Sequence, residues 1–81
     1  MPNKRTDEDI QIRKVMANRL WSVLEDQEIT ESELCEISGV SKSIVKSLLY
    51  EKSSTSVLNV IKISKALMVS MDYICGISDE M

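Results

Sequence analysis

The sequence contains no histidine and no phenylalanine, has its only proline at position 2, and has glycine only at positions 39 and 76. Without histidine there is no imidazole for acid–base work and no Cys–His nucleophile. The two cysteines, Cys35 and Cys75, are too few and too far apart to build a zinc cluster. Aromatic residues are equally scarce: Trp21, Tyr50 and Tyr73 are scattered and form no platform for stacking the bases of a single strand. The longest apolar run, Ala66-Leu67-Met68-Val69, falls far short of the roughly 20 residues that cross a bilayer. The N-terminal MPNKRTDED is polar and has no secretory pattern, so a cytoplasmic setting with reduced thiols is expected. These absences predict no metal, no cofactor, no membrane partner, no small-molecule ligand and, with no close acid pair in an evident pocket, no enzyme.

What the chain does have is 81 residues at 43% apolar content, enough for one small globular domain over 1–81. A domain of this size buries only about 60–65% of its unfolded surface, so a homodimer is a natural expectation. Formal charge is −3, with 10 basic and 13 acidic residues, but the distribution is uneven. Residues 1–20 sum to +2, residues 21–40 to −6 with no base at all, residues 41–65 to +4, and residues 66–81 to −3. One basic segment therefore sits in the middle of an acidic chain, the pattern of a local rather than a global attraction for a polyanion.

Because glycine and proline are nearly absent, short polar turns must punctuate the chain, and everything between them reads as helix. Residues 1–8 are expected to be a flexible arm, in which Lys4 and Arg5 are either solvated or laid along a groove. Thr6 or Asp7 can cap a first helix with an apolar stripe of Ile12, Met16, Leu20, Val23 and Leu24, ending near Gln27 or Glu28. Thr30 followed by Glu33 is a capping box that opens a second helix, which Gly39 stops by turning left-handed. Ser41 then caps a third helix to about Tyr50. Thr55 or Ser56 caps a fourth, with Val57, Val60, Ile61, Ser64 and Leu67 on one side, and Ser70 caps a short fifth over Met71 to Cys75, followed by a tail over 76–81. No segment alternates with the two-residue period of a half-buried strand, so the predicted fold class is all-α, a five-helix bundle.

Within it, SELCEISGVSKSIVKSLLY carries the set a helix-turn-helix needs over about 30–50. Cys35 is small on the inner face, Gly39 admits a positive φ at the turn, Val40 plugs the crossing, and Val45 and Leu48 face inward. The chain here resembles the Xre/Cro-type helix-turn-helix domains of phage repressors and small bacterial regulators. Leu34-Cys35-Glu36-Ile37-Ser38-Gly39-Val40-Ser41 is similar to that family's L-A-x-x-x-G-V-S, Ile63-Ser64-Lys65-Ala66-Leu67 to I-A-K-A-L, and Val69-Ser70-Met71-Asp72 to V-S-x-D. The likeness runs ungapped from about Arg19 to Cys75. It implies a lambda repressor-like bundle whose third helix enters the major groove of double-stranded DNA. Departures include Glu31 for the usual Gln, Leu24 for an Arg, Leu49 for an acid, Glu51 for a Gly and Thr55 for a Pro.

On that reading the outer face of the third helix, Lys42, Ser43, Lys46 and Ser47 with Ile44 near its start, reads bases. Lysine donates to guanine, serine donates or accepts, and isoleucine meets a thymine methyl. Phosphate contacts are expected from Lys52, Ser53, Ser54 and Asn59, from Ser41 and Tyr50 at the two ends of the third helix, and from Arg19 at the flank. Cys35 is expected to be a small buried hydrophobe and Trp21 to pack on the domain or a partner. The surplus of apolar residues at Met71, Ile74, Cys75 and Ile77 resembles a dimer contact. Two functional classes remain: a transcriptional regulator that represses by occupying a promoter, or a protein-interaction module of the same fold, such as an antirepressor, which the net charge and Glu31 favour.

Overall fold

The structure, a computed structural model, describes residues 4–81, with side chains from residue 7 onward. Five helices follow one another: α1 (Lys4–Gln27), α2 (Glu31–Ser38), α3 (Lys42–Leu49), α4 (Val57–Leu67) and α5 (Met71–Ile74), and no strand occurs among the described residues. A chain this poor in glycine and proline starts its helices with hydroxyls. Thr30, Ser41, Ser56 and Ser70 accept from the backbone N–H groups of Glu33, Ile44, Asn59 and Tyr73, respectively, and Thr30 and Glu33 complete the capping box. Each such cap contributes about 1 kcal/mol to the helix it opens.

α2 packs on α3 and α4, α1 on α3 and α5, and α4 on α5. Leu20, Val23, Leu34, Val45, Leu48, Ile63, Leu67 and Ile74 meet in a continuous core. Leu24 and Leu49, which stand where the Xre/Cro pattern has an arginine and an acid, are both 2% exposed in that core. Apolar side chains at both positions avoid the desolvation that a charged group would face there. Ser64 is the only buried polar residue among the described ones, and its hydroxyl donates to the Ile61 carbonyl.

The first helix differs from its expected form. It begins at Lys4 rather than after Thr6 or Asp7, so residues 4–8 of the expected arm are helical, while residues 1–3 and the side chains of Lys4 and Arg5 lie outside the described residues. Its buried stripe starts at Met16 and Ala17, and Ile12 remains 44% exposed. At 24 residues α1 is about 36 Å long, and the rest of the domain covers only its C-terminal part. In α4 the buried face is Val60, Ile63, Ser64 and Leu67; Val57 lies on the exposed end of that stripe and Ile61 at its edge.

The tail over 76–81 folds back on the domain. Gly76, at φ +81°, turns the chain so that the N–H groups of Ile77 and Ser78 donate to the Asp72 carbonyl at 2.8 and 3.1 Å. The Ser70 N–H donates to the Met81 carbonyl at 2.9 Å, and the Ser70 hydroxyl to the Glu80 carbonyl at 3.2 Å. A Cβ at Gly76 would lie 2.5 Å from Cγ1 of Val15 on α1, which only a bare α-carbon permits.

Candidate nucleic-acid interface

The turn between α2 and α3 is held by its own polar atoms. Gly39, at φ 73°, donates its N–H to the Cys35 carbonyl at 3.0 Å, closing α2 in the left-handed conformation. The Ser38 hydroxyl donates to the Leu34 carbonyl at 2.6 Å and accepts from the Val40 N–H at 3.2 Å. Val40 is buried at the crossing, whereas Cys35, expected to be buried, is half-buried at the edge of the core.

Val45, Leu48 and Leu49 bury the inner face of α3, which fixes what its outer face presents. Lys42, Ser43 and Lys46 are exposed and Ser47 is half-buried beside them, at i, i+1, i+4 and i+5 along one side. Ile44 is shared, half-buried against the core, so only its edge faces outward. The Ser41 hydroxyl is occupied as the cap of α3. After α3 the chain turns at Glu51, φ 60°, and the backbone N–H groups of Lys52 and Ser53 return to the Ser47 carbonyl at 2.8 and 3.5 Å. That turn leaves the side chains of Lys52, Ser53 and Ser54 exposed in one short loop. Asn59 is half-buried and spends its amide on the Thr55 hydroxyl at 2.8 Å, closing the loop onto α4.

Tyr50 ends α3, and its hydroxyl donates to Oε1 of Glu31 at 2.7 Å. Its ring meets Trp21 edge-on, with centroids 5.7 Å apart, and the Trp21 indole N–H donates to the Leu49 carbonyl at 2.9 Å. The first residue of α2, the end of α3 and the C-terminal part of α1 are thereby joined in one chain of contacts. The hydrogen bond to Glu31, with help from slight desolvation and the carboxylate charge, holds the Tyr50 phenol above its ordinary range. The carboxylate that departs from the Xre/Cro pattern is therefore engaged by a neutral donor. Tyr50 reaches a phosphate only by releasing it. No sequence signal pointed to this link, because residues 19 and 29 positions apart meet only through the fold.

Two expected site residues are placed elsewhere. Arg19, expected on a flanking phosphate, is committed to the tail: Nη1 donates to the Ser78 carbonyl and Nη2 to Asp79, both at 2.9 Å, while the guanidinium lies 4.3 Å from the centroid of the Tyr73 ring. Ile74, expected at a dimer contact, is 1% exposed and belongs to the core, because one turn of α5 must bury its inward side to dock at all. Of the remaining apolar residues there, Met71 and Cys75 are half-buried and Ile77 is 77% exposed. Burial, helped by Asp72, pushes the Cys75 thiol up, away from the reactive thiolate. Met68 and Met81, not singled out in the sequence, are also exposed at this end.

No group of residues able to hold a metal ion occurs among the described residues, and none of their helices is long and apolar enough to cross a membrane. No curated protein and no solved structure matches the chain. A family model described as helix-turn-helix matches residues 22–74, most of the chain, and runs from the end of α1 through the capped turn and α3 to the end of α5. An all-helical domain with this turn, this exposed third helix and this match belongs to the helix-turn-helix family of the Xre and lambda-repressor type, whose members are DNA-binding transcription regulators.

Proposed function

We propose that the protein is a sequence-specific repressor that binds double-stranded DNA as a homodimer, with α3 of each protomer in the major groove. The observation that carries this reading is the two-sidedness of α3, whose inner face is buried and whose outer face offers Lys42, Ser43, Lys46 and Ser47. Lys42 and Lys46 donate to guanine edges, the two serines to either base, and the edge of Ile44 meets a thymine methyl. Lys52, Ser53 and Ser54 hold the backbone from the loop, supported by the free N–H groups at the start of α4 and by Asn59, while Ser41 and Tyr50 flank the reading helix. Exposed Ile77, with Met71 and Cys75 beside it, supplies the apolar contact between protomers. Repression follows from occupancy of a promoter.

A chain of net charge −3 binds DNA only through this local basic face, so its affinity depends steeply on salt. With about four phosphates neutralised per protomer, the log–log slope of affinity against salt is about −7 for the dimer. The test is selection of bound sequences from a random duplex pool, by the protein and by a Lys42→Ala/Lys46→Ala variant. The expected product is an inverted repeat with half-sites about 34–36 Å apart, lost in the variant. No enrichment at low salt, or enrichment that the variant retains, overturns this reading. It then favours the interaction module, with Glu31 and the acidic first turn of α2 as the surface to map.

A further inference from the structure

The N-terminal half of α1 lies outside the matched residues 22–74, yet one of its basic side chains comes to the loop that follows α3. Arg13 and Ser54, with Asp9 and Ile12, line an open cleft of about 220 Å³. Arg13 is half-buried, its Nε is shielded from solvent and unpartnered, and the side chain has no ion-pair partner among the described residues. Arg19, the other described arginine, is satisfied twice over. An always-charged fork whose shielded Nε is unpaired and which no carboxylate reaches within ion-pair distance has donors to spare, and a phosphate oxygen is a partner it fits well. The Ser54 hydroxyl beside it has no partner among the described residues either, and Lys52 of the same loop is exposed two residues away.

We propose that Arg13 and Ser54 form a clamp for one DNA phosphate, so that α1 ahead of the helix-turn-helix is a second backbone-binding element. Arg13 donates to the phosphate from the helix side and Ser54 from the loop side, with Ile12 as the apolar wall between them. Asp9, four residues before Arg13 on the same helix face, is the opposing charge. It sets the sign of a second variant. The clamp reads no bases; it fixes the register of the domain on the duplex and adds to the salt dependence.

This inference rests on duplex binding as proposed above, and one titration series separates the two. Binding of a fluorescently labelled random-sequence duplex is followed by anisotropy at several salt concentrations, for the full chain and for Arg13→Gln, Asp9→Asn and Lys52→Ala, with circular dichroism confirming the helix content of each. Arg13→Gln is expected to lower the salt slope by about one per bound protomer. Lys52→Ala is expected to do the same, and Asp9→Asn to tighten binding several-fold at low salt. An Arg13→Gln slope equal to that of the unaltered protein, while Lys52→Ala lowers it, overturns the clamp and leaves the regulator intact. Tighter binding by Arg13→Gln, or weaker binding by Asp9→Asn, overturns it as well. Failure of the unaltered protein to bind any duplex at low salt overturns the DNA reading itself, and the clamp with it.

Discussion

Gly39 and Gly76 both turn the chain with positive φ, at 73° and 81°, but they are glycine for different reasons. At Gly39 a Cβ would meet nothing within 4 Å, so only the backbone conformation asks for glycine. At Gly76 it would sit 2.5 Å from Val15, so glycine is required both by φ and by the approach of the tail to α1. One turn is a local device that the chain makes from its own neighbours; the other is a joint between segments some sixty residues apart. A local turn can be altered at the cost of its own strain, whereas altering a joint disturbs whatever it joins.

The largest effect should come from Gly76→Ala, which combines left-handed strain with overpacking against Val15 and is expected to cost about 3 kcal/mol. Thermal unfolding should show a loss of more than about 10 °C in Tm. Gly39→Ala should cost only the strain, about 1–2 kcal/mol, and Gly39→Asn less again, because Asn adopts that conformation readily. The comparison is sharpened by adding Val15→Ala to each glycine variant. The added cost of alanine at Gly76 should then fall towards that at Gly39, while the Gly39 value stays unchanged, and equal shifts in both would break the distinction.

Arg19→Met keeps the stem of the side chain and removes its head from the tail. Since Asp79 is 98% exposed, the ion pair contributes little, and the expected cost of about 1 kcal/mol comes from the Ser78 hydrogen bond and the Tyr73 ring. Hydrogen exchange should speed up at the Ser70 and Ile77 amides while those of α2 and α3 keep their protection.

The smallest effect is spectroscopic. The Tyr50 phenol holds its proton more tightly folded than unfolded. Its contribution to stability is therefore intact below the ordinary value of 10.0 and disappears as pH rises through the raised one. Glu31→Gln should move the phenolate absorbance of Tyr50 to lower pH with little change in stability at neutrality, and an unmoved titration would show that the pair does not form.

The same contrast explains what could be read from the sequence. The capping box at Thr30, the stop at Gly39, the caps at Ser41 and Ser70 and the inward Val45 and Leu48 are decided within a few residues of chain, and the structure has them as the spacing predicts. The commitment of Arg19 to the tail, the burial of Ile74, the Glu31–Tyr50 pair and the exposure of Ile12 depend on what lies opposite each side chain in space. No period or motif encodes that. Charge alone makes Arg19 a candidate phosphate ligand, whereas the structure has its guanidinium held by a carbonyl 59 positions away.

The leucines at positions 24 and 49 have one more consequence. With no charged residue buried among the described ones, the interior gives salt and moderate acid nothing to act on, whereas the outer face of α3 and its loop expose Lys42, Lys46 and Lys52, charges that salt screens. On the proposed duplex-binding reading, folding and DNA binding therefore respond differently to ionic strength: added salt weakens the grip on DNA while leaving the folded domain intact.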